Sequence, residues 1–350
     1  MADWHTDEYP ELRSGPPWVT DEMVAAQPAA VRALLDSPPQ GVAEVAEAIR
    51  GGGPVTVVGC GTSEHGAMAI AALLDEALGA EWPPRAVARQ SLDAAERPQT
   101  GGVCIGISHD GGTRATTMAL EAAAAGGATT ALITNRPGGS ASGPAQHLIA
   151  TPLHDDSWCH TVAYTSSIAV GALLARELGL EGVDAARAED VLRGGIGRRP
   201  AAAALTGAER VVCAGIGLDL ITARELALKI AEGARIPTTA LQLETLLHGH
   251  LAGEDAGTAA VLVESDPAVD RIERRAAMAA AALGEIGMPV LTLVPADQGL
   301  RGPVERLLAG AAALQTLTLA LAEARGVNPD LIRREEEPYR RAGTAAEGDW

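Results

Sequence analysis

The stretch that decides the fold is Val55-Thr-Val-Val-Gly-Cys-Gly-Thr-Ser63, an apolar run that ends in two glycines and two hydroxyl residues. Four β-branched residues in a row are typical of a buried strand, and the glycines permit a tight turn into a helix. A similar stretch, Val211-Val-Cys-Ala-Gly-Ile-Gly-Leu-Asp219, occurs one domain further along. The chain therefore contains a weak internal repeat, and each copy predicts a strand that turns directly into a helix.

Outward from these copies, short β-branched runs alternate with Ala-rich helical stretches, the pattern of a mostly parallel sheet covered by helices. We predict an α/β fold of two domains, each a five-stranded sheet between helical layers. The predicted first-half strands are 55–58, 86–89, 103–107, 129–134 and 147–150, with helices over 63–78, 112–125 and 164–178. The predicted second-half strands are 210–214, 259–263 and 289–293, with helices over 223–235, 268–283 and 303–325.

Gly and Pro residues mark the expected domain boundaries, because they interrupt regular structure. The segment 193–200 reads Arg-Gly-Gly-Ile-Gly-Arg-Arg-Pro and predicts a linker. We expect a leader with an N-terminal helix in 1–36, a first domain in 37–192 and a second domain in 201–325. The tail, 326–350, shows no helical period.

Composition and charge argue against several classes of function. The 350 residues include only eight aromatic side chains, five Trp and three Tyr without any Phe, which suits nucleic-acid stacking badly. The net charge of −18 repels a phosphate backbone and an anionic membrane, so neither is an expected partner. Four scattered cysteines predict neither a disulfide framework nor a zinc site. Without a signal-like N-terminus or an apolar run of 18 residues, we expect a cytoplasmic protein.

Two predicted strand-to-helix loops carry polar groups at one edge of the first sheet. They are Gly59-Cys-Gly-Thr-Ser63 and Ser108-His-Asp-Gly-Gly-Thr113. Their hydroxyls and free backbone N–H groups can face an anion or a sugar oxygen. Each loop alone is also explained by a glycine turn or a helix cap. The first loop lacks the dinucleotide-binding pattern Gly-x-Gly-x-x-Gly, which disfavours a nicotinamide dehydrogenase.

Ionisable side chains share one face of a predicted helix in the second half. Glu225, Lys229 and Glu232 fall at positions i, i+4 and i+7. The ordinary explanation of that spacing is a solvated, salt-bridged face. Glu244 and His248 lie one turn apart in the same way, and His248 is equally compatible with a structural role and with acid–base chemistry.

In this order, the motifs resemble the double sugar-isomerase (SIS) domain family. That family includes the isomerase half of glucosamine-6-phosphate synthase, aminosugar-phosphate deaminases and fructosyl-amine deglycases. The resemblance runs from about Glu22 to Tyr339. It rests on the leader 22–28, the loops 59–63 and 108–113, the helix 223–232, the pair His248-Gly249 and the segment Gly326-Val-Asn-Pro-Asp330.

The resemblance implies roles for these residues. Glu232 would be the base that moves a proton between two sugar carbons, with Glu225 and Lys229 beside it. His248 would open the sugar ring, reaching the site of a neighbouring subunit, so a homodimer with shared active sites is implied. The implied substrate-binding residues are Gly61, Thr62, Ser63, Ser108, His109, Asp110, Thr113, Trp158 and His160. No metal and no cofactor is needed, because one carboxylate can remove and return the proton.

Three segments depart from the family pattern. Asp110 stands where a phosphate-binding Ser is usual, and like charges at about 4 Å cost on the order of 4 kcal/mol. Either Asp110 turns away to cap the helix, or the far end of the ligand is a hydroxyl or an amine. Trp158 and His160 replace small residues, and Trp158 either shapes the substrate site or simply packs. Glu337 falls near a lysine that the synthase carries in its tail.

We therefore expect an enzyme that interconverts aldose and ketose forms, or removes an amine, on a sugar or aminosugar derivative. Met1 is followed by Ala2 rather than by a nucleophilic cysteine, so we expect no glutaminase domain. The alternative is a non-catalytic SIS-type sugar-binding regulatory protein that keeps the pocket without the chemistry. Retention of Glu232 and His248 favours the enzyme.

Overall fold

Two parallel β-sheets form the frame of the chain, each flanked by helices. The computed structural model describes residues 4–6, 9–198, 200, 202–265, 270–295 and 299–347. The predicted α/β class is confirmed, and residues 268 and 269, where one helix is predicted to begin, lie outside the described residues.

The first sheet has five parallel strands in the order β2-β1-β3-β4-β5. These strands are β1 (Val55–Gly59), β2 (Ala86–Gln90), β3 (Val103–Ile107), β4 (Thr129–Thr134) and β5 (His147–Ala150). Helices of this half are α1 (Val19–Asp36), α2 (Val42–Arg50), α3 (Thr62–Ala77), α4 (Ser91–Glu96), α5 (Arg114–Ala125), α6 (Val162–Glu177) and α7 (Ala185–Ile196), with a 3₁₀ turn at Ser140–Ser142.

The second sheet repeats this order with one strand fewer, as β7-β6-β8-β9. Its strands are β6 (Arg210–Gly215), β7 (Thr238–Gln242), β8 (Thr258–Val263) and β9 (Val290–Leu293). Helices here are α8 (Ala203–Thr206), α9 (Leu218–Lys229), α10 (Leu243–Leu247), α11 (Asp270–Glu285), α12 (Gly302–Arg325) and α13 (Glu337–Ala346), with a 3₁₀ turn at His250–Gly253. The described residues of this half form four strands, so the prediction of five strands is wrong for them.

The two quoted repeats have the same backbone geometry. Gly61 and Gly217 both adopt a left-handed φ, of 57° and 59°. A Cβ at Gly59 would lie 2.3 Å from the carbonyl oxygen of Ser63, and one at Gly215 would lie 2.5 Å from that of Asp219. Each turn therefore requires both of its glycines. Gly59 and Gly215 allow a close approach of the backbone, and Gly61 and Gly217 allow the left-handed conformation.

Helix α12 joins the two halves into one core. It packs against α7 and α9, and one buried apolar cluster extends from the first sheet to the second. By length and mean hydropathy of 1.5, α12 is the one helix among the described residues that is apolar enough to cross a membrane. However, 83% of that apolar window is buried inside the protein, which makes α12 a core helix.

The leader and the tail meet at the start of α1. The carboxylate of Asp330 accepts hydrogen bonds from the backbone N–H groups of Val19, at 3.0 Å, and Thr20, at 2.8 Å. The segment 326–330 therefore fixes the N-terminal helix, since a carboxylate satisfies donors that a helix start leaves unpaired.

Three details of the predicted organisation are corrected. The tail is partly helical, as α13, and α7 continues to Ile196 into the predicted linker. The predicted helix 223–235 begins earlier, at Leu218, and its last turn, Ile230–Ala234, is a π-helix.

Candidate active site

Three ionisable residues of α9 and its π-helical turn form a buried cluster between the halves, the Glu–Lys–Glu cluster of Glu225, Lys229 and Glu232. The ammonium of Lys229 donates to Glu232 Oε2 at 2.6 Å and lies 3.6 Å from Glu225 Oε1. The side chains of Glu225 and Lys229 are each 1% exposed, and that of Glu232 is 22% exposed. The solvated-face explanation of this spacing is therefore wrong.

The first half reaches into this cluster through the loop after β1. Thr62 Oγ1 donates to Glu225 Oε1 at 3.2 Å, and His65 Nδ1 donates to Glu225 Oε2 at 2.6 Å. His65 was missed by the sequence analysis, although it follows Thr62 by three residues and so lies on the same side of α3. The buried carboxylate of Glu225 thus joins a loop of the first half to a helix of the second.

The cluster separates the pKa values of its two carboxyl groups. Burial favours the neutral form of Glu225, but Lys229 and the hydrogen bond from His65 hold the pKa of Glu225 below its ordinary value. Burial raises the pKa of Glu232 above its ordinary value, with Lys229 opposing. Burial also opposes the charge of Lys229, yet Glu232 and Glu225 together raise the pKa of that ammonium. Such a pair gives one permanent anion and one group suited to holding a proton.

A cavity of about 350 Å³ opens beside Glu232. Three of the four non-glycine residues with left-handed φ in the described chain line it, namely Arg235, Ile332 and Arg333. Left-handed backbone is strained for such side chains and often occurs at functional sites, as do π-helical turns. The strain and the π-helix therefore mark the surroundings of Glu232 as a constrained site.

The tail contributes Arg333 to this cavity, which Arg235 of the second half also lines. Arg333 lines the cavity and donates through Nε to Glu336 at 2.9 Å. Glu337 is exposed and pairs with Arg341 instead. Glu337 is therefore not among the residues that line the cavity, although Tyr339 of the same helix is.

Polar side chains gather at the carboxyl ends of β3, β4 and β5, the first-domain cup of Ser108, Asp110, Thr113, Arg136 and His154. Ser108 Oγ donates to Thr113 Oγ1 at 3.0 Å, and the Thr113 N–H donates to Ser108 Oγ at 3.3 Å. Asp110 Oδ1 lies 4.0 Å from Arg136 Nε and 3.9 Å from His154 Nδ1. Within the described residues, its carboxylate does not cap α5, so that alternative for Asp110 is wrong.

The rings of His109 and His154 and the carboxylate of Asp110 place ligand atoms within 4.8 Å of one another, a grouping to be tested as a metal site. His109 Nε2 accepts the backbone N–H of Asp155 at 2.9 Å, and His154 Nε2 accepts the Arg136 guanidinium at 3.1 Å. Both lone pairs are therefore engaged, and Nδ1 carries the proton in each ring. In this arrangement the histidines do not fit a metal ion.

His160 continues this group of rings towards the Glu–Lys–Glu cluster. Its ring centroid lies 5.3 Å from that of His109, which is itself stacked on His154 at 5.0 Å. Burial lowers the pKa of His160 to about 3, and the charge of Lys229 adds to the effect. His160 is thus a neutral ring located between the two polar groups.

Trp158 packs rather than standing free. Its ring lies 4.4 Å from the ring of Tyr9 in the leader, and the guanidinium of Arg334 lies 5.6 Å from it. The packing alternative accounts for its position, and a contact with substrate stays a prediction.

His248 is the one predicted catalytic residue that lies apart from the cluster in this chain. Its side chain is 75% exposed at the end of α10, and Nε2 lies 3.2 Å from Glu244 Oε2. The remaining predicted residues, Gly61, Thr62 and Ser63, lie in the loop that contacts the cluster.

Comparison with known proteins identifies a domain in the first half and the fold of the chain. Residues 52–176 match the SIS domain. The chain is similar to the C-terminal domain of glucosamine-fructose-6-phosphate aminotransferase from Francisella tularensis, with a TM-score of 0.73 and 18% identity over 91% of this chain and 99% of that one. It is also similar to a glucosamine-6-phosphate deaminase from Thermotoga maritima, with a TM-score of 0.69 and 16% identity over 89% and 96% of the two chains.

A third similar structure is the tagatose-6-phosphate ketose/aldose isomerase of Escherichia coli, with a TM-score of 0.68 and 18% identity over 92% of this chain and 98% of that one. A search of the curated proteins gave no match. At these identities the three structures establish the fold, which agrees with the two similar halves described above. Residues 52–176 therefore form a SIS domain, and the chain shares the fold of these structures over nearly its whole length.

Proposed function

We propose that the protein is a sugar isomerase or aminosugar deaminase that moves a proton between adjacent carbons of an open-chain sugar. The observation that carries the proposal is the Glu–Lys–Glu cluster beside the 350 Å³ cavity, in which one carboxylate is held as an anion and the other has a raised pKa. This division of roles is what a reversible proton carrier requires.

In the proposed step, the carboxylate of Glu232 removes the proton from C2 of the open-chain aldose. The electron pair of the broken C–H bond forms a C1–C2 double bond while the π pair of the C1 carbonyl moves to O1, which takes a proton from water, giving an enediol or, with an amine at C2, an enolamine. Glu232 then returns the proton to C1. The enediol gives up its O2 proton to water and becomes a ketose, whereas the enolamine gives a protonated imine whose hydrolysis by water releases ammonia as ammonium. The step needs neither a cofactor nor a glutaminase.

Lys229 and Glu225 are positioning residues in this scheme. The ammonium of Lys229 holds Glu232 by the 2.6 Å hydrogen bond, and its own charge is stabilised by Glu225. Thr62 and His65 hold Glu225 from the first half. Contact between the two halves therefore sets the position of Glu232, the proposed proton carrier.

We assign the far end of the sugar to the first half and the ring-opening step to His248 of a second copy. Ser63, Ser108 and Thr113 supply hydroxyl groups at the strand ends, and the exposed imidazole of His248 is available to a neighbouring subunit. The proposal thus includes a cytoplasmic homodimer with a small sugar derivative as its ligand.

The test is Glu232→Gln, with exposed Glu121→Gln as the matched control. Each variant is incubated in D2O with fructose, glucosamine and their 6-phosphates, and ketose formation, ammonia release and deuterium incorporation are followed by NMR. We expect Glu232→Gln to lower turnover by about 10²- to 10⁴-fold, the usual contribution of a general base, and Glu121→Gln to leave it unchanged.

Unchanged turnover in Glu232→Gln contradicts the role of Glu232. If the native protein binds a sugar in calorimetry but the carbon-bound protons of that sugar never exchange with deuterium, the protein is the regulatory sugar-binding protein instead.

A further inference from the structure

We infer that the first-domain cup takes the uncharged polyol end of a sugar derivative and discriminates against a phosphate group. This inference rests on the proposed function for the identity of the ligand as a sugar. Its basis is the set of charges and hydrogen-bonding groups that the cup presents.

Asp110 places a negative charge in the cup. Its side chain is 53% exposed, so its carboxylate lies at the surface of the cup, 3.9 Å from His154 Nδ1. A phosphate dianion placed against it meets a like charge, and such pairs repel even when solvent weakens the interaction. A sugar phosphate ester is mostly a dianion at neutral pH and then has no phosphate proton to donate to this carboxylate, whereas a sugar hydroxyl has one.

Arg136 excludes the opposite alternative, an ammonium group. Its guanidinium, 59% exposed, lies 4.0 Å from the carboxylate of Asp110 and balances its charge. An amine bound between the two would face a cation as well as an anion. The cup as a whole therefore favours a ligand end without net charge.

The histidines add no charge that would alter this balance. His154 donates through Nδ1 to Asn135 Oδ1 at 3.1 Å, and the orientation of that amide is fixed because Asn135 Nδ2 donates to the carbonyl of Thr151 at 2.7 Å. Because Nε2 accepts from Arg136, both ring nitrogens of His154 are engaged within the protein. His109 Nε2 accepts from the Asp155 N–H in the same way, and burial lowers the pKa of His109 to about 4.

The hydroxyl pair completes a mixed set of donors and acceptors. Ser108 and Thr113 are hydrogen-bonded to each other, and each hydroxyl can also donate or accept. A polyol both donates and accepts, so it can satisfy Asp110, Arg136 and this pair together. The dianion of a phosphate ester only accepts, so it adds no hydrogen bond to the Asp110 carboxylate.

The test compares Asp110→Ser with Asp190→Ser, which removes the same charge from an exposed position on α7. Both changes are made in Glu232→Gln protein so that no turnover occurs during calorimetry. The ligands are inorganic phosphate, fructose, glucosamine and the two 6-phosphates. The Glu232→Gln protein, in which the cup is unchanged, should bind a free sugar more tightly than its 6-phosphate and should not bind inorganic phosphate. Asp110→Ser should raise the affinity for phosphate and the phosphate esters by about two- to fivefold, and Asp190→Ser should not.

Two results would overturn the inference: tighter binding of a 6-phosphate than of the free sugar by the Asp110 cup, or an Asp110→Ser variant without any gain for inorganic phosphate. Because inorganic phosphate tests the cup irrespective of the sugar, failure of the proposed function is distinguishable. If Asp110→Ser gains phosphate binding while no sugar binds any variant, the discrimination against phosphate stands and the assignment to sugars is wrong.

Discussion

The strand-to-helix turns of the two halves have the same backbone conformation but differ in the side chain that follows the glycines. After β1, Ser63 presents a hydroxyl for which the described residues offer no hydrogen-bond partner. At the equivalent position after β6, the carboxylate of Asp219 accepts from the backbone N–H of Ser265 at 3.1 Å and from its hydroxyl. Asp219 is 2% exposed, so the place that is open in the first half is filled in the second.

This difference shows how one fold used twice can make one site. The filled turn leaves the second half to contribute the buried charges of α9, while the open turn leaves the first half to contribute hydroxyls and backbone donors. A ligand between the halves therefore meets a hydrogen-bonding surface on one side and a proton carrier on the other. Three predictions follow from the difference.

The largest expected effect compares the cations of the two halves. Lys229→Met leaves two buried carboxylates without a counter-ion and should lower the free energy of unfolding by about 3 to 5 kcal/mol. Arg136→Met removes a 59% exposed guanidinium and should cost less than about 1 kcal/mol. Urea unfolding of both variants measures the contrast, and equal losses would show that the two regions do not differ in this way.

A smaller effect separates the filled turn from the open one. Asp219→Ala removes the acceptor of the buried Ser265 N–H and of the Ser265 hydroxyl, to which Arg306 Nε still donates, and should destabilise by about 1 to 3 kcal/mol without changing sugar affinity. Ser63→Ala should do the reverse, with stability nearly unchanged and sugar affinity lowered. Thermal unfolding and calorimetry of the two variants check this, and a loss of sugar affinity in Asp219→Ala would place ligand in the second half.

The smallest effect concerns pH, because only the first half buries histidine rings among the described residues. Because the pKa of His160 is lower in the folded protein than in the unfolded chain, the unfolded chain takes up the His160 proton at a higher pH. The contribution of His160 to the free energy of unfolding is therefore fully present above about pH 6.5 and falls as the pH decreases. Between pH 7.5 and 5.5 this residue should cost about 1.4 kcal/mol, and His160→Asn should remove that part of the pH dependence. The exposed His250→Asn is the control, and equal pH profiles for His160→Asn and the native protein would contradict the buried, neutral state of His160.

Much of the fold could be predicted from the sequence because its signals are local. Buried β-branched runs and glycine pairs gave the central strands of both sheets at nearly their observed limits. Strand β7 was missed because Thr238-Thr-Ala-Leu-Gln242 is a partly exposed edge strand without an apolar run. The tail helix was missed because α13 has no buried residue and thus no apolar period.

The candidate site could be predicted only in part, because it is assembled from both halves. Spacing brought Glu225, Lys229 and Glu232 onto one face, but their burial depends on α3 and α12, which no local pattern shows. His65 and Arg333 were missed for the same reason, since each reaches the site through a contact distant in sequence. The orientation of Asp110 depended on Arg136, at the end of another strand.

The most direct measurement is a crystal structure of the Glu232→Gln variant with a bound sugar from the calorimetric panel. The account predicts one end of the sugar at Ser63, Ser108 and Asp110 and its first two carbons beside residue 232. A sugar bound elsewhere, such as the polar cavity at Glu64, Arg89 and Asp93, would contradict the central claim that the open turn of the first half and the buried charges of the second make one active site.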